Sequence, residues 1–180
     1  MFLGLVIAFI AFSAAPLAHA QHAQPYAGQQ SRAIKALSDE EVKQYLEGAG
    51  LGYARAAELN RYPGPMHVLE LADKLQLTAD QRARTAELMQ QHKAEARALG
   101  RKLVDAEHAL DELFRSARAD QATLAAHVRG AAAAQGEYRL SHLETHRRMR
   151  ALLTDEQVSR YDALRGYAAG TAHAPHSKGH

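Results

Sequence analysis

The chain has 180 residues, 22 Lys and Arg against 20 Asp and Glu, a net charge of +2, and no Cys. The small, interspersed charge and scarce aromatics leave no basic stripe for nucleic acid, and the missing thiols exclude disulfide staples, thiolate metal sites and cysteine nucleophiles. Ala, Leu, Glu and Arg dominate and Trp is absent, a composition suited to long helices in one domain.

Residues 2–18 are almost wholly apolar and Ala18-His19-Ala20 forms a small-x-small site. This reads as a signal peptide, residues 1–20, cut after Ala20. Met1 is followed directly by Phe2, so the usual basic leader is missing. An uncut segment would instead anchor the chain to the inner membrane, although the run is short of the roughly 20 residues a span needs. Residues 21–37 are polar, with Gly and Gln, and read as a disordered linker. A helical domain is expected over 38–168, followed by a disordered tail, 169–180, with His173, His176 and His180.

Within the domain, Ser38-Asp39-Glu40-Glu41 is a capping box, and the helix after it carries Val42, Tyr45 and Leu46. Gly48, Gly50 and Gly52 follow at alternate positions. That spacing is not a phosphate-cradling pattern and no strand precedes it, so it predicts a bent or tightly packed helical segment. Tyr62-Pro63-Gly64-Pro65 breaks the chain, and Pro65 suits the first position of a short helix reaching about Leu75. The next helix is expected from Thr78 to about Arg115, with a seam of Leu88, His92, Ala96, Leu99, Leu103, Ala106, Leu110 and Leu113. Steps of four and three are a heptad spacing. Ser116 to Ala119 makes a turn and Asp120 caps the return helix. That helix carries Leu124, Val128, Ala131, Gln135, Tyr138, His142, Met149 and Leu152. A final short helix follows Thr154 and runs to about Tyr167.

One pentad occurs twice. Leu77-Thr78-Ala79-Asp80-Gln81 and Leu153-Thr154-Asp155-Glu156-Gln157 both read Leu-Thr-x-x-Gln. Thr at the N-cap accepts from an orphan backbone N–H, and Gln three residues later reaches back to the N-cap N–H. Thr78, Gln81, Thr154 and Gln157 are therefore expected to cap helices, with Leu77 and Leu153 as staples.

Metal chemistry rests on the histidines, of which there are 11. His142 and His146 are four apart on one helix face, a spacing at which two imidazoles can share an ion. A hairpin turning near 117–118 brings His92 to their level, opposite about residue 143, with Met89 and Met149 nearby. His67 and Glu70 share a face of the short helix joined to that end. The expected ligands are thus His142, His146 and His92, then His67 and Glu70. Zinc fits tetrahedral His and Glu ligation, and copper or nickel suits Met and His. Against this, a lone His in a helical seam is ordinarily a hydrogen-bonded core residue. No metal is expected to be required for folding. The chain has no motif for a nucleophile and base and no phosphate loop, so no enzyme is expected.

Two such pentads flanking a long charged hairpin behind a signal peptide resemble the LTxxQ family of periplasmic proteins, the Spy and CpxP chaperones with the metal-binding ZraP and CnrX. The segment Ala54-Arg55-Ala56-Ala57-Glu58-Leu59-Asn60-Arg61-Tyr62-Pro63-Gly64-Pro65, followed by His67-Val68-Leu69-Glu70-Leu71-Ala72, is similar to members labelled heavy-metal-resistance proteins. The resemblance covers about Ser38 to Tyr167. It implies an all-α fold, a long antiparallel α-hairpin with short flanking helices, forming a homodimer. It also implies an ATP-independent chaperone or envelope-stress protein acting on unfolded or misfolded envelope proteins, with metal binding. The alternative it implies is a metal sensor or buffer, the sensor working through a membrane signalling partner. Metal ligands in that group come from His, Glu and Met on several helices, a likeness of type only.

Overall fold

The computed structural model describes residues 24–168. The signal-peptide and tail expectations therefore lie outside the described residues. Some 70% of the described residues are helical and none is in a strand. Two units separate: residues 1–30, and residues 31–180. In the first, the described part is a run of turns held by local bonds such as the Gln29 side chain to the Pro25 carbonyl.

The second unit is built on a hairpin of two long helices. Helix α4 spans Ala79–Arg115 and α5 spans Gln121–Leu152. The 37 residues of α4 make a rod of about 55 Å. Short helices attach to the hairpin: α1 Asp39–Glu47, α2 Arg55–Glu58, α3 Pro65–Glu70 and α6 Asp155–Arg165. The predicted seam of α4 faces inward: Leu88, Ala96, Leu103 and Leu113 are buried. On α5, Ala131, Tyr138, His142 and Met149 are buried, whereas Val128 and Gln135 are exposed.

Every predicted cap forms. Ser38 and Glu41 make a capping box for α1. Thr78 with Gln81 and Thr154 with Gln157 do so for α4 and α6. Asp120 caps α5 by accepting from Ala122 and Thr123. The helix expected to reach Leu75 ends at Glu70 and continues as turns; Gln76, at φ 53°, turns the chain into Leu77. Within the segment read as a linker, Ile34 is buried and the Lys35 backbone N–H donates to Asp111 at 3.0 Å.

Two cores result. One, at the open end of the hairpin, gathers Val68, Leu75, Leu88, Met149, Val158 and Tyr161. The other packs Tyr45 of α1 against Leu103 and Tyr138. Gly100 permits it: a Cβ there would lie 1.9 Å from the Tyr45 carbonyl oxygen. The Tyr138 hydroxyl donates to Ala49 at 2.6 Å, and the Tyr45 and Tyr53 hydroxyls meet at 3.0 Å. These contacts lay the glycine segment across the hairpin, where Gly48 takes φ 74° to close α1 and Gly52 φ 76° to open the next turn.

Candidate functional site

Between the 47–67 segment and the hairpin lies an open cavity of about 610 Å³. Its walls include Leu51, Leu59, Pro65, Met66 and Met89, and the hairpin side adds His92, His142, Thr145 and His146. Charges stand around it: Glu47, Glu58, Arg55, Lys93 and Arg165.

Three imidazoles of the hairpin, His92, His142 and His146, are each oriented by a hydrogen bond that also selects the tautomer. His142 Nδ1 lies 2.9 Å from the Tyr138 carbonyl. His146 Nδ1 lies 2.7 Å from the Tyr62 carbonyl. A carbonyl only accepts, so both Nδ1 atoms carry the proton. His92 Nδ1 is 3.0 Å from Thr145 Oγ1, and that hydroxyl already donates to the Ser141 carbonyl. His92 Nδ1 is therefore also the donor. All three rings keep the lone pair on Nε2, the arrangement in which a second-sphere acceptor prepares a ligand. Burial, with His142 and His146 adding, lowers His92 to about 4. Burial, with His146 adding, likewise lowers His142, against the opposing effect of the Tyr138, Gly48 and Ala49 carbonyls. Both rings are neutral near pH 7. The rings of His92 and His142 meet edge to face with centroids 4.6 Å apart. His142 is 4% exposed and its Nε2 has no hydrogen-bond partner.

The sequence-predicted ligands are thus brought together unequally. His92, His142, His146 and His67 all line the cavity. His92 stands opposite Thr145 rather than residue 143, a shift of two residues. The ring of His146 turns toward the chain break: a Cβ at Gly64 would lie 2.9 Å from its Cε1. His67 is bonded to Glu70 at 2.8 Å, and Glu70 is not among the lining residues. Met149 is fully buried in the first core; Met66 and Met89 are the lining thioethers. Among the described residues, no group of three His, Asp or Glu is arranged to hold a metal ion.

Sequence reasoning missed Glu58. Its carboxylate accepts from the Tyr161 hydroxyl at 2.5 Å and from the Gly64 N–H at 3.2 Å, with Arg165 Nε at 3.8 Å. Burial, with the Glu58 carboxylate adding, raises the Tyr161 hydroxyl above its ordinary value, against the opposing effect of Arg165. Glu58 ties α2, the Pro-Gly break and α6 together beside His146. The sequence signal is a lone carboxylate between Ala57 and Leu59, six residues before Gly64.

The fold is thus a helical hairpin with a cap-marked helix start at each side of its open end, carrying short helices over an open cavity. The family model described as LTXXQ motif family protein matches residues 65–165. The chain belongs to the LTXXQ motif family, the family of Spy/CpxP-like proteins. No curated protein and no solved structure matches the chain.

Proposed function

We propose that this LTXXQ protein is a periplasmic, ATP-independent chaperone or envelope-stress protein that holds apolar segments of unfolded or misfolded envelope proteins. The observation that carries this reading is the cavity with its exposed apolar wall: Leu59 is 57% and Met66 48% exposed. Flexible Met and Leu beside a mixed-charge rim adapt to many sequences, the surface of a promiscuous binder. Phe114, Val128 and Leu140 also stand exposed on the hairpin, leaving apolar surface for the expected homodimer. Family membership supports a non-enzymatic role. Among the described residues no helix is long and apolar enough to cross a membrane.

Light scattering of an aggregating, unfolded client without ATP tests the reading. The protein should slow aggregation, and Leu59→Asp with Met66→Asp should weaken that effect at unchanged helicity. Aggregation unaffected by the wild type overturns it.

The second reading, a metal buffer or a sensor acting through a membrane signalling partner, is favoured by one observation. Three imidazoles on one cavity present Nε2 lone pairs. Zinc, copper and nickel are the ions to try, and calorimetry that detects none of them at these histidines removes this reading.

A further inference from the structure

We propose that the ion this cavity takes is a soft monovalent one, Cu(I), held between His92 Nε2 and His142 Nε2 with the Met89 thioether as an additional donor. The inference rests on the metal-binding reading and names the ion.

Consider first what a divalent ion would need. Zn²⁺ prefers four ligands, commonly with anionic ones to offset its charge in a dry site. The carboxylates here are committed or remote. Glu58 is held by Tyr161 and Gly64. Glu70 pairs with His67. Glu47 lies at the solvent side. Around the cavity three cations, Arg55, Lys93 and Arg165, stand against two carboxylates, Glu47 and Glu58. Repulsion from this wall grows in proportion to the ion's charge and the desolvation cost with its square, so both disfavour a dication relative to a monocation.

Consider next what donors remain. They are neutral imidazoles, which suit copper as well as zinc and nickel, and thioethers, the soft donors that favour Cu(I) among these ions. Cu(I) is satisfied by two or three ligands. It therefore needs no third His, Asp or Glu, which the described residues do not supply. His142 Nε2 is buried and without a partner, which is costly for a polar atom. A bound ion would satisfy it. His92, 4.6 Å away ring to ring, has the same free edge because Thr145 occupies its Nδ1. Met89 lines the same cavity one turn before His92.

The test uses the full chain carrying His173→Ala, His176→Ala and His180→Ala, so that the tail does not compete. Cu(I) is titrated anaerobically against bicinchoninate, with Ag(I) as a redox-inert substitute and Zn²⁺ alongside. Imidazole nitrogens are followed by ¹⁵N NMR. One Cu(I) per chain is expected. The Nε2 signals of His92 and His142 should shift, and their Nδ1–H signals should persist. Equimolar Zn²⁺ should not displace the ion. Thr145→Val, which removes the acceptor for His92 Nδ1–H, should weaken Cu(I) binding by roughly 10- to 100-fold, and His142→Ala by more. The NMR result on the unmutated cavity decides the question even where His142→Ala loses its fold. If Zn²⁺ shifts these nitrogens and Cu(I) does not, the metal reading stands and the choice of ion is overturned. If neither ion shifts them, both fall, while the chaperone reading keeps its own test.

Discussion

The side-chain amides of Gln81 and Gln157 face one another and exchange hydrogen bonds, Gln81 Nε2 to Gln157 Oε1 at 2.8 Å and Gln157 Nε2 to Gln81 Oε1 at 3.0 Å. Each Oε1 also accepts from its own N-cap threonine N–H at 3.0 Å. The second amide proton of each crosses to the chain leading into the other motif, Gln81 to the Leu152 carbonyl and Gln157 to the Leu75 carbonyl. The two pentads are therefore one structure. Each glutamine caps its own helix and fastens the start of the other.

This relationship predicts strong coupling. Gln81→Ala and Gln157→Ala should each cost about 1–3 kcal/mol, because part-buried partners lose their bonds. The double mutant should cost less than the sum, with a coupling of about 0.5–3 kcal/mol. Urea denaturation of the four proteins measures it, and strict additivity would contradict the paired geometry.

The threonines act more locally. Thr78→Ala and Thr154→Ala each lose one N-cap bond and should cost about 1 kcal/mol. Unchanged stability in both, accompanied by lost ligand binding, would reverse their assignment as caps.

Much of this was legible beforehand. The heptad steps of Leu88, Ala96, Leu103 and Leu113 require a buried seam, and the Thr-x-x-Gln spacing requires a cap, because both are short-range periodicities. The pairing of Gln81 with Gln157 was not legible, since a capping box accounts for both residues without any contact across 76 positions. Glu58 escaped for the same reason: its partners Gly64 and Tyr161 meet only after the Pro-Gly break folds back onto α6. Gly100, a poor helix former inside α4, was not legible as a contact either, since it meets the Tyr45 carbonyl of another helix.

That contact separates the glycines of the hairpin. Gly100→Ala improves helix propensity by about 1 kcal/mol, but its Cβ would lie 1.9 Å from the Tyr45 oxygen. It should destabilise the protein by about 1–3 kcal/mol and loosen α1. Gly136→Ala, with nothing within 4 Å of the added carbon, should stabilise by about 0.4–1 kcal/mol. Thermal denaturation followed by circular dichroism resolves the opposite signs.

Acid should weaken the fold through two imidazoles, the buried His142 and the half-buried His92. An unfolded His takes up its proton near pH 6.5, whereas burial holds His92 down to about 4 and lowers His142 as well. Between those values the unfolded state binds more protons, so stability rises with pH. The contribution is fully present above about pH 6.5, falls as pH drops through that window, and levels off for His92 below about 4. Each ring adds a slope of at most about 1.4 kcal/mol per pH unit. His92→Gln should flatten the urea-derived stability profile over that range, and an unchanged profile would show that His92 is not held neutral.

The central claim is that the cavity beneath the 47–67 segment is where this protein takes hold of unfolded chains. Site-specific photo-crosslinking measures this most directly. A photoreactive residue at Leu59 or Met66, on the cavity wall, should capture an unfolded client without ATP. The same probe at Lys102, exposed on α4 and away from the cavity lining, should not. Capture at Lys102 equal to that at Leu59 and Met66, or capture at none of them while the protein still suppresses aggregation, would contradict the claim.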